Sequence, residues 1–187
     1  SGAKKICLPV CVVMGGTWLT MDQVRGLEPS DIVILDDVAP GWPLAADEKE
    51  ALCDLRIHGA GHDGFLVRAR VRGSDLVVMR EDRSVLEGDM HSEQDRTTVD
   101  DSATDGEELT EPGLERVRQV QARVVVEVAR TSLPVEQLLR LSSGTVIALD
   151  RPPSMEVTLT AQGRELAHGV LVQVEGELAV KVLKVLR

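Results

Sequence analysis

The sequence predicts a mainly β protein of two related units, each made of strands with one short helix, packed on each other about a pseudo-two-fold axis. Three observations lead there. First, twenty residues recur at one fixed offset. Residues 131–150, TSLPVEQLLRLSSGTVIALD, lie over residues 17–36, TWLTMDQVRGLEPSDIVILD, and Thr17/Thr131, Leu19/Leu133, Gln23/Gln137, Leu27/Leu141, Leu35/Leu149 and Asp36/Asp150 are identical. A repeat at constant spacing marks a duplicated structural unit. Second, 43% of the 187 residues are hydrophobic but only 2% are aromatic, so any core is built of Val, Leu, Ile and Ala. Third, ten acids between Glu87 and Glu111 face the single Arg96, so this segment holds nearly all of the net charge of −10. Such a stretch cannot offset its ordering entropy by burial and reads as a disordered linker between the units.

The boundaries follow: a first unit over 1–81, an acidic linker over 82–121 and a second unit over 122–187. Residues 8–14 form an apolar strand opened by Pro9, which a strand tolerates at its start or edge, and Gly15-Gly16 is expected to break it. Thr20-Met21-Asp22-Gln23 fits a capping box, in which hydroxyl and amide side chains satisfy free backbone donors at a helix start. That helix is short, with Met21, Val24 and Leu27 on one face and Pro29 at its end. A strand follows at 32–35, then a loop with Pro40, Gly41 and Pro43 and a helical turn near 45–52. Strand 52–58 leads through glycines to strand 65–71, where apolar residues alternate with Arg68, Arg70 and Arg72, the mark of a half-exposed strand. Gly73-Ser74-Asp75 closes a hairpin onto 76–79.

The second unit repeats this plan. Strand 122–129 precedes a helix over 133–141 with Pro134 in its first turn, where a missing N–H costs nothing. The turn Ser142-Ser143-Gly144 leads into strand 146–149, and Pro152-Pro153 replaces the long loop of the first unit. Strand 155–160, a turn at Gln162-Gly163, and a hairpin of strands 170–174 and 178–186 complete it. Val182-Leu183 interrupts the alternation of the last strand and predicts a bulge. A unit of this size buries about 60% of its unfolded surface and is marginal alone. Two such units on one tether stabilise each other by packing.

Net charge excludes nucleic acid and anionic membrane as main partners. Cys7, Cys11 and Cys53 are odd in number and lack framework spacing, which suits a reducing compartment. No apolar run reaches membrane-span length. There is no signal peptide, and Ser1-Gly2 reads as a fusion remnant, so the natural chain is expected to begin upstream. Residues 59–64, GAGHDG, match GxGxxG, but a dinucleotide site needs a helix next, and the alternating strand at 65–71 favours a hairpin turn. Cys7, Cys11, His58 and His62 resemble a loose zinc set. Structural zinc uses tighter cysteine spacing, so core cysteines and a surface histidine pair are preferred. His91 lies in the linker and His168 has no nucleophile nearby. Asp36 and Asp150 recur at a strand end and are expected to cap the following turn. No catalytic constellation is present, so no enzyme, metal or cofactor is expected.

Residues 130–185 closely resemble the SpoA (surface presentation of antigens) domain. The matching features are Arg130-Thr131 before a short helix, the Leu-x-x-Gly-x-x-Ile-x-Leu-Asp segment from Leu141 to Asp150, the apolar strand before Gly163, Gly169 followed by a Val-rich strand, and the strand after Glu177-Leu178. Residues 8–80 resemble a divergent copy, with Gly15-Gly16 for Ala129-Arg130, Pro29-Ser30-Asp31 for Ser143-Gly144-Thr145 and an insertion after Asp36. Tandem copies with an acidic linker resemble the C-terminal half of type III secretion cytoplasmic-ring, or sorting-platform, proteins (the SctQ/HrcQ/YscQ family). The resemblance implies interleaved β dimers and a cytoplasmic scaffold beneath the inner-membrane export apparatus, with a further domain upstream. It implies as partners the N-terminal segment of an SctL-type stator and ATPase regulator, other platform proteins, and the chain itself or a short second-unit product. It places the stator-docking patch at Val170, Leu171 and Val172; neighbours in a strand face opposite sides, and Leu171 is expected to point outward. Met90 is the candidate internal start for the short product. The alternatives are a flagellar motor switch component and, in a different class, a metal- or ligand-binding β domain.

Overall fold

The computed structural model describes residues 5–43, 50–58, 64–85 and 118–186. The N-terminal unit consists of β1 (Cys7–Thr20), α1 (Met21–Arg25), β2 (Ile32–Ile34), β3 (Asp37–Val38), β4 (Glu50–His58), β5 (Gly64–Arg72) and β6 (Asp75–Val85). The C-terminal unit consists of β7 (Gln121–Pro134), α2 (Val135–Leu138), β8 (Val146–Ala148), β9 (Glu156–Ala161), β10 (Arg164–Val174) and β11 (Glu177–Val185). The chain is mainly β, as its alternating patterns predict. Most of the acidic segment, Met90 included, lies outside the described residues, although β6 runs to Val85, past the expected boundary at 81.

One antiparallel sheet has the order β2-β11-β10-β9-β7-β1-β4-β5-β6-β8, with β3 paired to β1 beside it. Exchanging each strand for its repeat equivalent leaves the order unchanged when it is read from the other end. The central pair, β1 and β7, obeys the same rule in its register. Val10 lies opposite Thr131 and Thr17 opposite Val124, and in the repeat Val10 corresponds to Val124 and Thr17 to Thr131. The small outer strands cross over: β2 of the N-terminal unit pairs with β11, and β8 of the C-terminal unit pairs with β6.

The capping box forms as predicted. The Gln23 N–H donates to Thr20 Oγ1 at 3.2 Å and the Thr20 N–H donates to Gln23 Oε1 at 2.8 Å. Several expectations are corrected. Gly15-Gly16 does not end the first strand, which continues to Thr20 with register shifts around Val13. The glycines instead permit close backbone approach, since a Cβ on Gly15 would lie 2.1 Å from the Asp37 carbonyl oxygen and one on Gly16 2.3 Å from that of Val124. The second helix is four residues long rather than spanning 133–141, and Pro134 closes β7 opposite Cys7. Its missing N–H is harmless there too, and ladder pairing with β1 outcompetes one more helical turn. Residues 50–52 open β4 instead of a helical turn, whose remainder falls outside the described residues. The bulge at Leu183 is present: His168 pairs with Lys184 and Gly169 with Val182, leaving Leu183 over.

One continuous aliphatic core lies against the inner side of the sheet. It includes Val10, Val12 and Met14 of β1, Val124 and Val126 of β7, Leu55 of β4 and Leu159 of β9, all buried. Leu27 and Leu141, identical in the repeat, both reach it from the segments after the helices.

Candidate functional site

The residues singled out on the Val-rich strand lie on β10. Register determines which of them share a side, because residues paired across antiparallel strands point the same way. Leu171 pairs with Val180, which pairs with Val33 of the crossing strand β2. All three are buried, at 3%, 0% and 6% exposure. The expected outward orientation of Leu171 is therefore reversed: it is a core residue. The apolar run 170–172 carries no parity of its own, and the core claims the middle position.

Val170 and Val172 flank it on the outer side. Val172 pairs with Ala179 and Ala179 with Ile34, while Val170 pairs with Lys181 and Lys181 with Ile32. The two valines are half-buried, and Ile32 and Ile34 are 44% and 46% exposed. Met155, whose carbonyl accepts the Leu171 N–H at 2.8 Å, is 42% exposed beside them. The result is an outward apolar face assembled from both units. A sequence reading could find the valines but not Ile32 and Ile34, because β2 reaches β11 only through the crossover. Large side chains clustered on an exposed face mark an interaction surface more than isolated ones do.

The corresponding face of the N-terminal unit is charged. Matching the ladders to β4 and β9 places Arg68, Arg70 and Arg72 where the other unit has His168, Val170 and Val172. Arg68 Nε lies 2.8 Å from Asp54, and Arg70 and Arg72 reach Glu50 at 3.2 and 3.7 Å. Burial pushes the Asp54 carboxyl above its usual range, with Arg68 and Arg56 opposing.

A third feature sits over the central strands on the outer side. A cavity of about 260 Å3 is lined by Cys11, Val13, Arg56, Glu127 and Arg130, among others. Glu127 is 7% exposed. Arg130 donates to both of its carboxylate oxygens, at 2.7 and 3.1 Å, and also lies 2.9 Å from Glu165. The paired Glu127 carboxylate holds the Arg130 guanidinium firmly charged. Burial, then the Glu127 charge, pushes the Cys11 thiol up to about 11, and burial pushes Cys53 up to about 12. Raised thiols of this kind are not nucleophiles at neutral pH.

The remaining motifs resolve as follows. β4 and β5 pair antiparallel through His58 and Gly64, so a strand and not a helix follows the glycine run, of which residues 59–63 lie outside the described residues. Among the described residues no group of three or more His, Cys, Asp or Glu could hold a metal; His62 lies outside them. Asp36 does not cap the following turn. Its carboxylate instead accepts the Thr17 hydroxyl at 2.6 Å and the Trp18 N–H at 3.0 Å, which holds its pKa below the usual carboxylate range. His168 Nδ1 lies 3.2 Å from the Thr158 hydroxyl. Among the described residues no helix is long and apolar enough to cross a membrane.

Residues 115–187 match the family described as type III flagellar switch regulator (C-ring) FliN C-term. The chain is 37% identical over 78 residues to Yop proteins translocation protein Q of Yersinia pseudotuberculosis, covering 42% of this chain and 25% of that protein. It is 28% identical over 78 residues to flagellar motor switch protein FliN of Pseudomonas aeruginosa, covering 42% of this chain and 50% of that protein. The match to FliN of Pectobacterium carotovorum is 26% over 73 residues, 39% of this chain and 69% of that protein. The matched stretch thus spans about a quarter of the Yersinia relative.

Proposed function

We propose, from a C-terminal unit that belongs to the FliN C-terminal domain family and an N-terminal unit of the same strand order, that this chain is a scaffold of a type III secretion cytoplasmic ring. In this reading the two units form one interleaved pseudo-two-fold dimer. The symmetric register of β1 with β7 and the crossed strands β2 and β8 support it. The chain performs no chemistry of its own. It works in the cytoplasm, at the periphery of the secretion apparatus, by presenting surfaces to other ring components.

The observation that carries the adaptor role is the outward apolar face of Val170, Val172, Ile32 and Ile34. Its proposed occupant is the N-terminal segment of the stator protein that regulates the ATPase. An apolar face of two strands suits an amphipathic segment, whose apolar side it can cover. The flagellar alternative predicts the same face; the 37% identity to the Yersinia secretion protein, against 28% to FliN, favours secretion.

The test is binding of the stator's N-terminal peptide to the full chain. Val172→Asp should weaken binding by at least about tenfold, as expected for a charge placed in a docking core, whereas Arg72→Asp, its counterpart on the charged face, should leave it unchanged. Unaltered binding by a folded Val172→Asp variant would remove this face from the proposal.

A further inference from the structure

The centre of the β1·β7 pair holds one position that faces its own repeat equivalent, Val13 opposite Glu127. Both side chains are buried, at 5% and 7% exposure. Any pairing between two like units would place that position opposite itself. Two C-terminal units would therefore set Glu127 against a second Glu127, with Cβ atoms about 4.5–5.5 Å apart.

A neighbouring position makes a second distinction. Arg130, which holds Glu127, corresponds in the repeat to Gly16. A Cβ at Gly16 would lie 2.3 Å from the Val124 carbonyl oxygen. A like pair would put a second Glu–Arg pair, its carboxylate buried and its arginine half-exposed, in the same cavity of about 260 Å3. Each further buried ion carries a desolvation cost that its partner repays only in part. The N-terminal unit, with Val13 and Gly16, leaves room for one Glu–Arg pair.

We propose that the Val13–Glu127 and Gly16–Arg130 positions make pairing of unlike units more favourable than pairing of two C-terminal units. The inference rests on the reading that the units pair through β1 and β7. The charged and titratable groups facing Glu127 are Arg130 on its own strand, Cys11 on β1, Arg56 on β4, Glu156 on β9 and Glu165 on β10. In the unlike pair the Glu127 carboxylate is bound by Arg130, and its nearest cross-strand neighbour is an uncharged valine. In the like pair it meets a second carboxylate, and protonation of one of the two relieves the conflict.

The full chain supplies the test. Val13→Glu sets a second carboxylate of the like-pair centre against Glu127 within one molecule, without the second arginine, and Val13→Gln has nearly the same shape without the charge. At about pH 8, Val13→Glu should melt roughly 5–10 °C below Val13→Gln, and the gap should close as the pH falls toward the carboxylate range. Adding Glu127→Val to Val13→Glu, which returns the centre to one acid, should recover most of the loss. Equal melting of the Glu and Gln variants at both pH values would overturn the charge rule while leaving the pairing intact. If neither variant lowers the melting temperature, position 13 is not buried against β7, and the pairing itself fails.

Discussion

The same hairpin carries opposite surfaces in the two halves of this chain. On the inner side the rows correspond: Val71–Leu76–Ile147 in one half and Leu171–Val180–Val33 in the other, all buried. On the outer side the N-terminal half shows arginines paired with Asp54 and Glu50, and the C-terminal half shows Val170 and Val172 beside Ile32 and Ile34. The inner row is bound by packing density, where a single methylene is felt. The outer row meets solvent and can change its chemistry without cost to the fold. Duplication thus supplied two equivalent faces, of which the C-terminal one is apolar and the N-terminal one charged.

The sharpest way to break this comparison is to exchange the roles of neighbouring residues. Leu171→Asp should destabilise the chain by about 3–5 kcal/mol, because it buries an unpaired carboxylate in an aliphatic row. Val172→Asp, one residue away, should cost no more than about 1 kcal/mol. Chemical denaturation of both variants checks the parity assignment, and similar losses would refute it.

A smaller effect lies in the turns before β2 and β8. Ser30 and Gly144 occupy equivalent positions and both have positive φ, +80° and +87°. Their N–H groups bond equivalent crossing strands, Ser30 to the Val182 carbonyl and Gly144 to that of Val78. The left-handed conformation costs a non-glycine residue about 1 kcal/mol. Ser30→Gly should therefore stabilise the chain by about 1 kcal/mol and Gly144→Ser should destabilise it by a similar amount. Melting curves of the two variants moving in the same direction would show that the turns are not equivalent.

The smallest expected effect concerns Thr17 and Thr131, which are identical in the repeat but differently employed. Thr17 is buried and donates to Asp36; among the described residues Thr131 makes no such bond to Asp150. Thr17→Val should therefore cost more than Thr131→Val at neutral pH. The Asp36 pKa is depressed in the folded chain, so the bond's contribution is complete above the unfolded carboxylate value of about 3.9 and is lost as pH falls through the lower folded value. The difference between the two variants should shrink below about pH 4. A difference that persists unchanged in acid would assign the effect to packing.

Much of the fold was legible because it is local. The capping box at Thr20, the hairpin turn at Gly73 and the bulge at Leu183 each follow from a few adjacent residues whose backbone needs are known. The fate of Gly15-Gly16 was not legible. A glycine pair reads as a break when only its neighbours are considered, and here it answers to the Asp37 and Val124 carbonyls brought against it by other strands. The helix after Pro134 was overestimated for the same reason, since the competing partner, Cys7, lies at the far end of the chain.

By itself the sequence determined that the chain is built twice from the same strand plan, that its core is aliphatic, and that Val170 to Val172 forms a notable apolar run. Period-two patterning and turn chemistry are enough for that. Tertiary structure alone decided which of those three residues faces outward. An apolar run has no parity until a core chooses one, and the core here is completed by β2 from the other unit, which also brings Ile32 and Ile34 to the exposed face.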